Sequence, residues 1–329
     1  MTLLESLSDR RVPGVCVVVC SRDRSEHLAA CLDALLPLIR AQDEIVVVDS
    51  ASLDFRTGQV AFDHRVRLVR CERSGLSHAR NAGLAAADRD IVAFTDDDCR
   101  PQPGWTAALA EAFGASEVSF AFGQVVGSAD GVPVSVTIRD EPQRIDADCE
   151  LASIGHGANM AFRRSALRTI GGFDEVLGAG GPLRAGEDKD AVWRLLCAGH
   201  IGAYVPDAIV EHVLWRGRRQ AVRLSYGYGL GWGALSAKAI RDNREDGQGL
   251  LRAGIGPLGL RQAWRDLRAG YATGTASSLA WTAGVATGVC RGWSLPLHNG
   301  RFVTEEVLRE LTPSDHSLTK DQRDESIPA

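Results

Sequence analysis

The sequence predicts an α/β protein with a mostly parallel central sheet and flanking helices. Continuous apolar runs rich in valine and isoleucine occur at residues 15–20, 45–48 and 91–94. Such runs are typical of strands that are buried on both faces. Segments with helical apolar spacing lie between them, at residues 25–38 and 76–87. Strands that alternate with helices form βαβ units, and these build parallel sheets.

Length and composition limit the possible classes of protein. The 329 residues suffice for one large α/β domain with appendages, or for two domains. The 45% hydrophobic and 24% charged residues exclude collagen, coiled coils and wholesale disorder. The net charge of −5 argues against a nucleic-acid partner, because nucleic acids are bound by basic surfaces.

The first elements follow the chain in order. The strand at residues 15–20 precedes a helix for which Ser25 is the expected N-cap, and Pro37 is expected to stop or kink that helix. A second strand ends at Asp49, and a short third strand covers residues 66–69. The next helix leads into a fourth strand, which ends at the acidic triplet 96–98.

The later elements are less regular. Residues 118–126 and 132–138 are predicted to form antiparallel strands around a turn at Gly131, and residues 155–162 suit a further strand. A mobile loop is expected at the glycine-rich residues 173–184, before a helix at 187–198.

Eight cysteines are scattered along the chain without a CxxC pair, so a zinc knuckle is not expected. Several lie in apolar runs, which favours buried free thiols in a reducing cytoplasm. The N-terminus has no apolar core behind a basic start, so we expect no signal peptide and a cytoplasmic protein.

Charge divides the chain unevenly. Residues 1–212 hold 21 basic and 31 acidic side chains, whereas residues 213–309 hold 14 basic and 6 acidic ones. We expect a basic, mainly helical extension over 216–311 and a polar, disordered tail over 312–329. Arginines and aromatic residues in 216–295 favour peripheral contact with the anionic inner face of the plasma membrane, while an ordinary helical subdomain is the alternative. Residues 269–290 contain no charged residue but are only a weak candidate for a membrane span.

Three polar clusters follow predicted strands, at residues 21–24, 49–54 and 96–98. Ligands of open parallel sheets bind at the carboxyl ends of the strands, so these clusters should meet at one rim. Asp96, Asp97 and Asp98 repel one another, and a hard cation such as Mg²⁺ or Mn²⁺ would relieve that repulsion. A solvated loop that caps the next helix is the alternative.

Other side chains allow two interpretations each. Asp49 suits a contact to a base or ribose, or a turn with Ser52. Arg80 suits a phosphate contact or an ordinary surface position. Asp188 opens a helix beside a glycine-rich loop, where an acid acts either as a base or as a partner of the helix dipole. A lone histidine such as His212 is usually structural and gains interest only beside carboxylates.

The order of these motifs resembles family 2 glycosyltransferases over residues 12–215. VVVCSRDR resembles the family's opening strand and nucleotide loop, and VVVDSASLD its second strand end. SGLSHARNAGLAAADRDIVAFTDDDC resembles the segment that runs from an ARNxG motif to a DxD motif. HGANMAFRRSALRTIGGFDE resembles the acceptor-side block, and AGEDKDAVWRLLCAG resembles the ED motif.

The resemblance implies a GT-A fold and an inverting transfer from a nucleoside diphosphate sugar to an acceptor hydroxyl on a glycan, a lipid-linked molecule or a small molecule. It implies Mn²⁺ or Mg²⁺ as cofactor and Asp188 as general base. The residues that it implies are Ser21, Asp49, Arg80, Asp96 and Asp97 for the nucleotide sugar, Gly157, Asn159 and Glu187 for the acceptor or sugar side, and Asp98 and His212 for the metal.

Two other functions are compatible with a sheet rim that carries acids. A nucleotidyltransferase usually has a glycine-rich basic phosphate loop near its N-terminus, and CSRDRSEHL contains no glycine. A non-catalytic binding protein on a degenerate transferase fold would not need the clustered acids at 96–98 and 187–188.

Overall fold

The computed structural model describes residues 12–114, 117–128, 136–213, 217–242, 246–305 and 307–308. Within these ranges the strands are β1 Val15–Ser21, β2 Glu44–Ser50, β3 Arg67–Cys71, β4 Ile91–Asp96, β5 Cys99–Pro101, β6 Val118–Gly127, β7 Gln143–Ile145, β8 Asn159–Arg163, β9 Ile201–His212, β10 Leu297–His298 and β11 Arg301–Phe302. The α-helices are α1 Ser25–Leu35, α2 Arg56–Asp63, α3 Leu76–Ala86, α4 Trp105–Ala112, α5 Arg164–Thr169, α6 Glu187–Cys197, α7 Arg218–Arg241, α8 Asp246–Ile255, α9 Arg261–Arg268 and α10 Ala272–Ser294.

Nine of the described strands form one sheet in the order β3-β2-β1-β4-β8-β6-β9-β5, with β7 paired to β9. Strands β1 to β4 are mutually parallel where they pair, and β6 runs parallel to β9. Strand β8 lies antiparallel between β4 and β6, and β5 and β7 are antiparallel to β9. The predicted α/β class with a mostly parallel sheet and flanking helices is confirmed.

Both faces of the sheet are buried, as the continuous apolar runs predicted. Along β1, Val17 and Val19 pack with α1 and α4 on one face. Cys16 and Val18 pack on the other face, in the cluster that also contains residues of α3 and α6. A strand covered on both sides by helices has no polar face, so its sequence shows no alternation.

Several elements differ in detail from the predictions. Helix α1 begins at Ser25 with Arg24 as its N-cap, and Pro37 lies in a single 3-10 turn, Leu36–Leu38. Helix α2 was not predicted from the sequence. The predicted turn at Gly131 lies outside the described residues, but Val125 and Thr137 form an antiparallel bridge.

The C-terminal helices pack onto the sheet domain through α7. Glycines bring α7 close to α10: a Cβ atom added at Gly229 would lie 2.1 Å from the Trp281 carbonyl oxygen. Lys238 of α7 is buried and donates to Asp174 at 2.5 Å and to Asp190 of α6 at 2.6 Å. This buried ion cluster connects α7 to the helix that carries Asp188.

Among the helices that the structure describes, none combines the length and the apolar character that a membrane crossing requires. The predicted disordered tail over 312–329 lies outside the described residues.

Candidate active site

The acidic triplet lies where β4 ends. Asp96 is the last residue of β4, and Asp97 and Asp98 form the tight turn into β5. Ser21, at the end of the neighbouring β1, donates its hydroxyl to Asp97 Oδ2 at 2.8 Å. Adjacent parallel strands thus bring two of the predicted polar clusters together.

Arg24 neutralises part of this acidic turn; the sequence placed it in the polar cluster 21–24 but gave it no role of its own. Its Nη2 lies 2.9 Å from Asp97 Oδ1 and 2.6 Å from Asp98 Oδ2. The sequence signal was present, because Arg24 follows the end of β1 and therefore lies at the same rim. Burial still raises the pKa of Asp97 to about 7, although Arg24 opposes that shift.

The geometry around Asp98 fits a divalent cation. His212, at the end of β9, places Nε2 3.4 Å from Asp98 Oδ1, and both side chains are buried. Two ligands of one ion, each at about 2.1 Å, stand about this far apart. Arg24 engages the other oxygen of Asp98. Asp98 can therefore keep its contact with Arg24 through Oδ2 and offer Oδ1, together with His212, to a cation.

Cys99 completes the group of three potential metal-binding side chains, with donor atoms that lie within 4.8 Å of one another. Burial raises the pKa of its thiol well above the ordinary value. A protonated thiol is a poor ligand for hard cations such as Mg²⁺ and Mn²⁺. The oxygen of Asp98 and the imidazole of His212 are therefore the fitting donors.

Arg80 joins the acidic turn to the ED motif. The guanidinium is buried; its Nη1 donates to Glu187 Oε1 at 2.6 Å, and its Nη2 lies 3.3 Å from Asp96 Oδ1. Nη2 also donates to the carbonyl oxygen of Gly157 at 3.1 Å. These three contacts fix the orientation of the guanidinium. Because Arg80 is buried, the alternative of an ordinary surface position does not apply.

Asp188 is oriented by backbone amides. Its Oδ2 accepts from the Gly157 amide at 2.9 Å, and its Oδ1 accepts from the Lys189 amide at 2.7 Å. Gly186 precedes α6 in the left-handed conformation at φ 89°, which lets the chain turn into the helix. The carboxylate lines a cavity of about 560 Å³.

Glu187 is more deeply buried than Asp188 and has a perturbed titration. Burial raises the pKa of Glu187 to about 7; Arg80 opposes the shift, and Asp188 adds to it. The two acids of the ED motif therefore have different environments: Glu187 is paired with a guanidinium, whereas Asp188 is held by backbone amides.

Three of the predicted site residues do not line the cavity, namely Asp49, Asn159 and His212. Asp49 is buried; it accepts from Arg70 at 2.6 Å and from the Ser52 amide at 3.0 Å, so the predicted turn with Ser52 is present. Asn159 is fully buried, accepts from the Trp105 indole and donates to the carbonyl oxygen of Ala208. The structure gives Asn159 the role of cross-linking strands.

The cavity has two chemically different ends. Its polar end contains the predicted residues at the strand ends and on α6, namely Ser21, Arg80, Asp96, Asp97, Asp98, Gly157, Glu187 and Asp188. Its other end is formed by apolar side chains of the C-terminal helices, which we call the aromatic wall: Leu224, Tyr228, Trp232, Leu235, Leu258 and Trp281. The glycine-rich segment contributes Ala179 and Gly180 and is held to α3 by a hydrogen bond from the Leu76 amide to Ala179.

Comparison with known proteins shows what part of the chain is similar to. The sequence model of the family described as Glycosyl transferase family 2 matches residues 16–171. The chain is 36% identical over 149 residues to the pre-mycofactocin glycosyltransferase of Mycobacterium tuberculosis, which covers 42% of this chain and 30% of that protein. It thus matches less than a third of that relative's length.

A second relative is glycosyltransferase AglE of Haloferax volcanii, which is 24% identical over 61% of this chain and 67% of its own. The structure resembles that of the mannosyltransferase PcManGT from Pyrobaculum calidifontis in complex with GDP-Man and Mn²⁺, with a TM-score of 0.56, 21% identity, and coverage of 84% of this chain and 87% of the other. Residues 16–171, less than half of the chain, therefore match glycosyl transferase family 2, and the structure has the GT-A fold.

Proposed function

We propose that this protein is an inverting glycosyltransferase that moves a sugar from a nucleoside diphosphate sugar to an acceptor hydroxyl with the help of Mn²⁺ or Mg²⁺. One observation carries the proposal. Arg80 contacts Asp96 at the end of β4, Glu187 of the ED motif and the Gly157 backbone, so the three segments meet in one cavity. Asp188 lies in the same cavity.

The diphosphate would lie at the polar end, beside Ser21, Arg80, Asp96 and Asp97. A guanidinium is a strong partner for phosphate oxygens. Asp98 and His212 would hold the cation, which neutralises the charge that develops on the leaving diphosphate. Asp49 and Arg70 lie one and two strands beyond β1, on β2 and β3, where a base or ribose would lie.

The chemical step needs one base. Asp188 would accept the proton of the acceptor hydroxyl as its oxygen attacks the anomeric carbon and the bond to the diphosphate breaks. A single displacement inverts the anomeric configuration and forms no covalent glycosyl-enzyme bond, so no second carboxylate has to act as nucleophile. Glu187 would hold Arg80 in place, and Gly157 would lie on the acceptor side of the cavity.

A donor screen tests the proposal. The protein is incubated with Mn²⁺ and each of several uridine, guanosine and thymidine diphosphate sugars, and the free nucleoside diphosphate is measured. We expect slow transfer to water with at least one donor, which releases the nucleoside diphosphate and a free sugar of inverted anomeric configuration. In a parallel sample with added pyrophosphate, formation of a nucleoside triphosphate and a sugar 1-phosphate would indicate a nucleotidyltransferase, and binding without turnover would indicate a non-catalytic protein.

We further propose that the protein is cytoplasmic and contacts the anionic face of the plasma membrane through part of 216–295. Helix α9 supports this: Trp264 and Leu267 are 56% and 65% exposed, and Arg261, Arg265 and Arg268 lie exposed on the same short helix. Apolar and cationic side chains together favour an anionic interface.

Vesicle flotation tests this contact. Wild type should float with phosphatidylglycerol vesicles at low salt and less at high salt. Trp264→Glu should remain at the bottom, while Phe62→Glu, which changes an aromatic residue that is 78% exposed on α2, should float like wild type. If wild type does not float at low salt, the helical extension only packs on the core.

A further inference from the structure

The aromatic wall presents mostly carbon, since its polar side-chain groups are the hydroxyl of Tyr228 and the indole N–H groups of two tryptophans. The Trp232 indole donates to the Leu250 carbonyl oxygen at 2.8 Å, and the Trp281 indole donates to the Gly254 carbonyl oxygen at 2.9 Å. Because both N–H groups are used in the protein, the rings offer the cavity their apolar faces. Leu224, Leu235 and Leu258 add further apolar surface.

This wall stands directly beside the general base of the proposed function. Gly186, two residues before Asp188, approaches α7 so closely that an added Cβ atom would lie 3.2 Å from the Gly231 carbonyl carbon. Gly231 precedes Trp232 in the chain. A hydroxyl that is bound at Asp188 would therefore lie in the same cavity as the aromatic wall.

The apolar surface continues beyond Trp232. A second cavity of about 520 Å³ shares Ala152 and Trp232 with the first and is lined by Leu151, Trp193, Leu196, Leu250 and Ala253, among others. When an apolar ligand covers such a surface, water is displaced from it and binding becomes more favourable. A single sugar ring can stack on one indole, but it would leave the leucines of the wall uncovered.

We propose that the acceptor is an amphiphile, in which a hydroxyl-bearing head lies at Asp188 and a hydrocarbon body lies against the aromatic wall. This inference rests on the proposed function, because it assigns the acceptor of the same site. The polar end selects the donor, and the C-terminal helices select the acceptor by its apolar body.

Two probes with the same head test the proposal. Octyl β-D-glucoside, kept below its micelle concentration, and methyl β-D-glucoside are titrated into the Mn²⁺-loaded protein, and tryptophan fluorescence is followed. We expect the octyl compound to bind at least ten-fold more tightly, which about two fully buried methylenes would supply. Equal affinities, or no binding of the octyl compound, would overturn the proposal.

Matched variants show where the octyl chain binds. Leu224→Asp, in the wall, should lose the preference for octyl, whereas Leu279→Asp, 51% exposed on α10 and outside the cavity lining, should keep it. Leu258→Asp is a second wall variant in case the first unfolds. A preference that survives in a folded wall variant contradicts the proposal.

The test also separates this inference from the proposed function. Binding of uridine and guanosine diphosphate with Mn²⁺ is measured on the same samples. If wild type binds neither nucleoside diphosphate, the result counts against the glycosyltransferase proposal. Intact nucleotide binding without a preference for octyl would count only against the amphiphilic acceptor.

Discussion

Arg80 and Glu187 are 107 residues apart in the chain and form a buried ion pair, with Nη1 and Oε1 2.6 Å apart. The pair connects α3, which follows β3, to the first residue of α6, which carries the candidate base. A buried ion pair is costly to break, because the remaining charge then lacks a partner. The distance between the two halves of the site is therefore set by a specific contact.

The candidate base should be separable from donor binding. Asp188→Asn keeps the shape of the side chain but removes its ability to accept a proton, so we expect the transfer rate to fall about 10²–10⁴-fold. Nucleoside diphosphate affinity should change little, because those contacts lie at Arg80 and Asp98. The measurements are transfer rate and nucleotide affinity, with Glu187→Gln beside it. A near wild-type rate in Asp188→Asn would transfer the role to Glu187 or Asp190.

Turnover should depend on a divalent cation. Chelator should abolish transfer, and added Mn²⁺ or Mg²⁺ should restore it, because the leaving diphosphate needs neutralisation. Asp98→Ala should weaken nucleoside diphosphate binding in Mn²⁺ but should make little difference in chelator, where the ion is already absent. Full activity in excess chelator would contradict the assignment of Asp98 and His212.

The raised pKa of Glu187 makes a prediction about stability. Its carboxyl titrates at about 7 in the folded protein, against an ordinary value of 4.5. Between these values the folded state keeps a proton that the unfolded state releases. The free energy of unfolding from this group therefore falls as pH rises from about 4.5 to 7.

Chemical denaturation of wild type and Glu187→Gln across this range isolates the effect, because glutamine does not titrate. Wild type should lose stability relative to the variant as pH rises from about 5 to 7.5. A difference between the two proteins that is constant with pH would show that Glu187 titrates near its ordinary value when folded.

Contact between α7 and α10 should not tolerate a methyl group. A Cβ atom at Gly229 would lie 2.1 Å from the Trp281 carbonyl oxygen, and one at Gly284 would lie 2.2 Å from the Tyr226 carbonyl oxygen. Gly229→Ala and Gly284→Ala should each destabilise the protein by about 1–3 kcal/mol, since the backbone of the facing helix has to move to make room for the methyl group. Thermal unfolding measures the loss.

Gly249→Ala is the matched control, because a Cβ atom there meets nothing within 4 Å on helix α8. Alanine has the higher helix propensity, so this variant should be stable or gain roughly 0.5–1 kcal/mol. Similar losses in all three variants would mean that the close approach of α7 and α10 does not explain them.

The candidate site was predictable where one stretch of chain is sufficient to define it. An apolar run that ends in Asp96, Asp97 and Asp98 predicts both the strand and the acids at its end, and the structure has both. Asn159 shows the limit of such reasoning. Its position in a motif says nothing about the Trp105 indole and the Ala208 carbonyl that occupy its amide.

Local patterns in the chain are enough to predict the α/β class, the parallel strands and the acids at the strand ends, because apolar periodicity and strand termini are local properties. The pairing of Arg24 with Asp98, of Arg80 with Glu187 and of Lys238 with Asp190 is visible only in the folded protein. The reason is physical: a buried charge requires a partner, but any of many distant residues can supply it. The apolar end of the cavity also depends on tertiary packing, since Trp232 of α7 and Trp281 of α10 line the same cavity as Asp188.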